Sequence, residues 1–269
     1  MSGSTEPVIA GLTDAVRVAA ADFAAGLSTV APSTPVAATP AWSAHDVATH
    51  VVAAIALYRQ GPHGEAEVVD DPAELPALNE RLRRPYETFT NDELASAVID
   101  DTAALAEEIS AYGDAPPSYR FNGGCPVRAD RALGLLLGEL VVHGHDLAAA
   151  AGRELPIRAA HVEMIVAAME DVLPGFVNPT TAGRHTATYD VRLRGGSRHV
   201  WRFRDGGLTC GRDASRSRAD CHVSGDPAAL LLVMYRRRAP RHAAATGRIL
   251  AWGRRPWLAL SLPNRFFNP

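Results

Sequence analysis

The chain contains no lysine; all 27 of its basic residues are arginine. That absence excludes Schiff-base chemistry on a lysine amine and the lysine of a phosphate-binding loop. Cysteine is scarce too. The three present, Cys125, Cys210 and Cys221, are odd in number, widely separated and never in a CxxC pair. This argues against a disulfide framework and fits a reducing compartment. No apolar run reads as long enough to span a bilayer. The opening residues MSGSTEPVIAG lack a basic segment followed by an apolar stretch. No secretory signal is therefore expected, and the chain reads as cytoplasmic.

What is present is ordinary for a globular protein: 269 residues, 47% hydrophobic and 21% charged. That suffices for one large domain or two smaller ones, each with a core. The missing lysine and abundant alanine point to a GC-rich coding genome such as an actinobacterium's. The net charge of −3 conceals a division: residues 1–152 hold 8 arginines against 21 acids, and residues 153–269 hold 19 against 9. Genome bias alone can place arginines so. The sharper expectation is two domains, the basic one facing an anionic small molecule. No nucleic-acid motif accompanies the basic half, and neither nucleic acid nor a membrane is an expected partner.

Apolar spacing at Val8, Leu12, Val16, Ala19 and Phe23 predicts a helix over 7–28. A Pro/Thr/Ser-rich linker follows to Pro40. Ser43 with Asp46, and Thr90 with Glu93, read as capping starts of helices reaching about Gln60 and Ala111. Residues 61–90 read as irregular. A loop over 112–128 precedes a helix from about Ala129 to Ala151, stopped by Gly152. Another helix follows Pro156 to about Val172. Alternation then takes over across 185–211, with turns at Gly195-Gly196 and Asp205-Gly206-Gly207. Cys221–Ser224 reads as a further strand, and Asp226-Pro227 opens a short helix through Tyr235. Residues 243–262 read as a final helix or strand–helix segment without firm boundaries. The expected class is α+β, with a helical bundle over 1–155 and a smaller α+β domain over 156–269.

The chemistry concentrates in the helix containing Glu139-Leu140-Val141-Val142-His143-Gly144-His145-Asp146. Glu139 and His143 stand four apart on one helical face and can hold one borderline-soft ion. Asp146, three further on, can orient the imidazole through its other nitrogen. His145 points elsewhere. A carboxylate and an imidazole inside an apolar run need a partner, and a metal is one; an ordinary solvated helix face is the other reading. If the helix carrying Asp46 and His50 is a neighbour, His50 completes two histidines and one glutamate, leaving a position open for water or substrate. Closure by His145 or Asp146 as a fourth ligand would instead favour a structural metal.

The segment Trp42-Ser43-Ala44-His45-Asp46-Val47-Ala48-Thr49-His50-Val51 resembles the WSxxDVxxHL segment of the mycothiol-dependent maleylpyruvate isomerase family. Glu139 to Leu147 is similar to that family's ExxxHxxDL segment. The resemblance implies a DinB-like four-helix bundle and a C-terminal sterol-carrier-like domain, the latter on Asp220 to Pro227 and Ala228 to Val233. It implies His50, Glu139 and His143 as ligands of zinc or another divalent metal, with mycothiol as cofactor. The implied activity is attack of the activated thiol on an electrophilic small molecule, as isomerase or S-transferase. Arg237, joined by Asp146, is the candidate catalytic residue, and Arg236 and Arg238 are candidate cofactor contacts, since guanidinium pairs with carboxylate. A solvated basic turn is the plainer reading of Arg236–Arg238. A monomer or homodimer is expected. The competing readings are a non-catalytic metal-containing module carrying a small apolar or anionic ligand, and a regulatory partner without catalysis.

Overall fold

Two helix starts are built as their side chains dictate. Ser43 Oγ accepts from the Asp46 amide while Asp46 accepts from the Ser43 amide at 2.9 Å, and Thr90 and Glu93 repeat the exchange at 2.7 Å. Each satisfies donors that an uncapped helix leaves bare. The structure, a computed structural model, describes residues 6–212 and 218–267, and side chains of the first helix from residue 11. Val8, expected on the buried stripe, has its side chain outside the described residues. The chain divides into two units, Met1–Ile157 and Arg158–Pro269.

The first unit holds helices α1 (Glu6–Leu27), α2 (Ala44–Gln60), α3 (Leu75–Arg83), α4 (Asn91–Ala111) and α5 (Ala129–Ala150). Helices α1 and α2 each pack on both α4 and α5, making a four-helix bundle. Leu12, Val16, Ala19 and Phe23 bury the stripe of α1, and Leu133, Leu136, Leu137 and Leu140 bury α5. At Gly144 of α5 a Cβ would meet Leu155 at 3.3 Å and the Phe23 backbone at 3.8 Å, so a small residue keeps α1 close. Gly152, at φ +67°, follows the end of α5, in the left-handed region open to glycine.

Three features depart from expectation. Helix α3 lies in the stretch read as irregular; it is nine residues long with proline in its first turn and buries only Leu75 and Leu78, too little to show a period. The loop over 112–128 contains a hairpin, β1 (Ser118–Arg120) with β2 (Pro126–Arg128), of three residues each. And α5 is long and apolar enough, by length and composition, to cross a membrane, contrary to the sequence reading; 83% of its most apolar window is buried inside the protein, as a core helix would be.

The second unit begins with α6 (Ala159–Val172) and the short α7 (Pro179–Ala182). Strands β3 (Ala187–Leu193), β4 (Arg198–Arg204), β5 (Gly207–Gly211), β6 (Cys221–Gly225) and β7 (Ile249–Trp252) form one sheet in the order β5-β4-β3-β6-β7. Only the β3–β6 pair is parallel. Helix α8 (Pro227–Met234) stops one residue before the expected Tyr235, and α9 (Pro240–Ala245) leads into β7. The segment read loosely as a final helix is thus a helix end, an edge strand and 3-10 turns over Pro256–Ser261. Tyr189, Val191 and Leu193 of β3 face one side with Trp201, whose indole N–H donates to Glu170 of α6 at 2.9 Å. On the other side the fully buried Asp190 is held by Arg192, Arg198 and His222, each at 2.6 Å. The molecule is an α+β protein of two units.

Candidate metal centre

Helix α2 turns Val47, Val51 and Ile55 fully inward. His50, three after Val47, therefore sits at the flank of the buried stripe. Helix α5 places Glu139 and His143 one turn apart among buried leucines and valines. The result is convergence: a ligand atom from each of His50, Glu139 and His143 lies within 4.8 Å of the other two. The Nε2 atoms of both histidines stand 3.4 Å from Glu139 Oε2, and the imidazoles meet edge-on with centroids 5.1 Å apart. The side chains are 12%, 23% and 8% exposed for His50, Glu139 and His143.

Burial is the largest single influence on Glu139 and pushes its pKa up, yet the facing imidazoles of His143 and His50 together hold it well below the usual carboxylate range. Burial likewise presses His143 down, and Asp146 and Glu139 overcome it, so its proton affinity is raised. Such a set, two imidazoles and one carboxylate converging in a buried place, fits a divalent cation: the cation can take the position that a proton takes between the groups. The donor chemistry is that of a borderline-soft ion such as zinc.

Asp146 lies behind the set. Its Oδ2 is 3.3 Å from His143 Nδ1, within ion-pairing reach but not in an aligned hydrogen bond, and its side chain is 1% exposed. Among the described residues neither Asp146 nor His145 joins the converging atoms. Asp46 shares a helix face with His50 but is otherwise engaged: it caps α2 through Ser43 and takes a 2.7 Å hydrogen bond from Arg83. Two neighbours escaped sequence reasoning. The Trp42 ring lies 4.9 Å from that of His50, and its indole donates to Glu80 at 3.3 Å. Arg83 ties Glu80 to Asp46. Trp42 stood in a quoted motif, but nothing in its spacing revealed the ring contact; Arg83 stood in a stretch without legible structure.

The candidate arginines belong to the second unit, after α8. Arg236, at φ +58°, donates to the carbonyls of Phe266 at 2.9 Å and Pro263 at 3.4 Å. Arg237 donates to the Tyr235 carbonyl at 2.9 Å. The Arg238 amide donates to the Leu232 carbonyl at 3.0 Å.

Comparison with known proteins gives this geometry a family. The crystal structure of a mycothiol-dependent maleylpyruvate isomerase carrying a histidine-to-alanine substitution is 16% identical, covers 90% of this chain and 92% of that chain, and superposes with a TM-score of 0.54. A second crystal structure of the mycothiol-dependent maleylpyruvate isomerase is 15% identical over 83% of this chain and 87% of that chain, with a TM-score of 0.53. At these identities the likeness is one of fold. Sterol carrier protein 2 from Yarrowia lipolytica is 12% identical, covering 41% of this chain and 92% of that chain with a TM-score of 0.29. No curated protein matches the chain. The family model described as mycothiol maleylpyruvate isomerase N-terminal domain matches residues 13–148, a span from α1 to α5 that includes His50, Glu139 and His143. With half of its length so matched, the chain belongs to the mycothiol maleylpyruvate isomerase family.

Proposed function

We propose that this chain binds one divalent metal, zinc by its donor set, through His50, Glu139 and His143, and activates the thiol of mycothiol for attack on an electrophilic small molecule. The observation that carries the reading is the convergence of both Nε2 atoms on one carboxylate oxygen in a buried place. Family membership supports the thiol. A bound divalent cation supplies the Lewis acidity that turns a thiol into a thiolate near neutral pH.

The remaining work falls to side chains. Asp146 favours the proton on His143 Nδ1 and so leaves a lone pair on Nε2. Glu139 contributes the negative charge that offsets a cation in a buried site. Trp42 packs against His50 and limits its ring rotation. Arg237 is proposed to read a substrate carboxylate, which a guanidinium fork matches in bidentate fashion, with Arg236 and Arg238 as cofactor contacts. The thiolate adds to an unsaturated carbon and the electron pair moves onto the conjugated carbonyl. Rotation and expulsion of the thiolate give isomerisation, while protonation of the adduct gives S-transfer.

The test is turnover of a maleylpyruvate-type unsaturated keto acid by metal-supplemented protein with and without mycothiol. Conversion of the cis isomer without net thiol loss supports the isomerase, and a thioether product the transferase. Absence of any thiol-dependent reaction across a panel of electrophiles would refute both. A carboxylate-reading role for Arg237 predicts that Arg237→Lys raises KM more than it lowers kcat, because a bidentate fork is replaced by a point charge.

A further inference from the structure

The second unit brings a hydroxyl, an imidazole and a carboxylate into one line. Strand alternation puts Ser197, just before β4, on the same face as His199 and Trp201. On α6, Glu163 and Glu170 stand seven apart, two turns along one helical face. The two faces meet. Ser197 Oγ lies 2.6 Å from His199 Nε2. His199 Nδ1 lies 3.0 Å from Glu170 Oε1, within ion-pairing reach but not aligned as a hydrogen bond. Glu170 Oε1 also accepts from the Trp201 indole at 2.9 Å.

Burial sets this line apart from a surface network. The His199 side chain is 0% exposed and that of Glu170 10%. Burying an imidazole is costly, and an aliphatic residue would fill a sheet position facing a helix without that cost. Ser197 is half-buried, and its turn neighbours Gly195 and Gly196 are exposed, so the serine stands at the open end of the line.

Each member has the partner that nucleophilic catalysis requires. A serine hydroxyl is a weak nucleophile until a base takes its proton. With an Nδ1 proton turned to Glu170, His199 keeps a lone pair on Nε2 for that task. Glu170 fixes the tautomer and offsets the imidazolium that forms, and the Trp201 indole holds Glu170 in place. Hydrogen bonds of such sets are often poorly aligned without substrate and tighten when it binds. Glu163 narrows the substrate. Its Oε1 accepts from the Ser197 amide at 2.8 Å, and a Cβ on Gly196 would collide with it, so a carboxylate closes on the turn and disfavours an anionic acyl group.

We propose that Ser197 and His199, positioned by Glu170, hydrolyse small neutral esters, an activity independent of the metal and of any thiol. Ser197 Oγ adds to the ester carbonyl carbon while its proton passes to His199 Nε2. The carbonyl electron pair moves onto oxygen, then returns as the bond to the leaving oxygen breaks, and His199 gives that oxygen the proton. Water attacks the resulting acyl-serine, passing a proton through His199 back to Ser197 Oγ. The net change is ester plus water to carboxylic acid plus alcohol.

The test uses the full-length protein, thiol-free, with and without chelator. Mixing with p-nitrophenyl acetate should release a burst of nitrophenolate, and an alkyl fluorophosphonate should label Ser197 as fluoride departs, located by peptide mass spectrometry. Ser197→Ala, which loses one atom, should abolish burst and label. His199→Gln should slow labelling by about 100-fold or more. Glu170→Gln should lower kcat for the ester by about tenfold or more with KM unchanged, and Glu170→Asp should restore part of it. Should a variant unfold by circular dichroism, the position of the label in the unaltered protein decides. Absence of label on Ser197, equal labelling in folded His199→Gln, or hydrolysis that chelation abolishes would each overturn the proposal.

Discussion

A carboxylate between two imidazoles, as Glu139 is between His50 and His143, binds either protons or a cation, and the residues behind the set bias that choice. Asp146 is the nearest such residue. Its replacement by alanine is expected to weaken metal affinity by about 10–100-fold, measured by chelator competition, with the fold retained; unchanged affinity would remove it from the site. A second titrating residue serves the fold alone. Burial, helped by Arg265 and Arg255, pushes His185 from its ordinary 6.5 down to about 4. Its folded pKa lies below its unfolded one, so the unfolded chain binds more protons between the two values. His185 therefore contributes full stability above 6.5 and loses it as pH falls toward 4, by at most about 1.4 kcal/mol per unit. Urea midpoints at neutral and acid pH should converge in His185→Gln, and an unchanged acid loss would contradict this. At this scale Glu139 and His143 were legible because spacing on one helix fixes their shared face. Their meeting with His50 was not, since it depends on which helices are neighbours. The contact of Trp42 with His50 and the capture of Asp46 by Arg83 were invisible for the same reason: both join segments distant in sequence.

Elements carry the site through their ends. The capping box at Ser43 sets where α2 begins and hence which face holds His50. Ser43→Ala should cost about 1 kcal/mol in urea unfolding while metal stoichiometry stays at its original value; loss of the metal with the fold intact would mean the cap acts directly on the site. Elements with clear periods, α1, α2, α4, α5 and strands β3 to β6 of the second unit, were readable from side-chain spacing, while the edge strand β7 was not. Helix α3 and the β1–β2 hairpin were not, because nine residues with two buried positions, or two strands of three, carry too few repeats for a period. The helix α5 shows the opposite ambiguity. Its composition suits a membrane, and only its packing among α1, α2 and α4 reveals a core helix.

For the whole molecule, the bundle is acidic and the α+β unit basic. The bundle gathers His50, Glu139 and His143 inside an apolar frame, and the second unit encloses an apolar hollow. The charge division in the sequence anticipated two units; the hollow went unread because its lining is scattered from Val166 to Pro263. Binding to the native state alone stabilises it. Chelation should therefore lower the melting temperature of the unaltered protein and leave that of His143→Ala unchanged, as followed by calorimetry; equal responses would place the metal elsewhere.

The most direct test is elemental analysis of purified, folded protein. One divalent metal per chain is expected in the unaltered protein, and essentially none in His50→Ala, Glu139→Ala or His143→Ala. Stoichiometric metal persisting in all three variants, or failure of the unaltered protein to take up any divalent ion, would contradict the account.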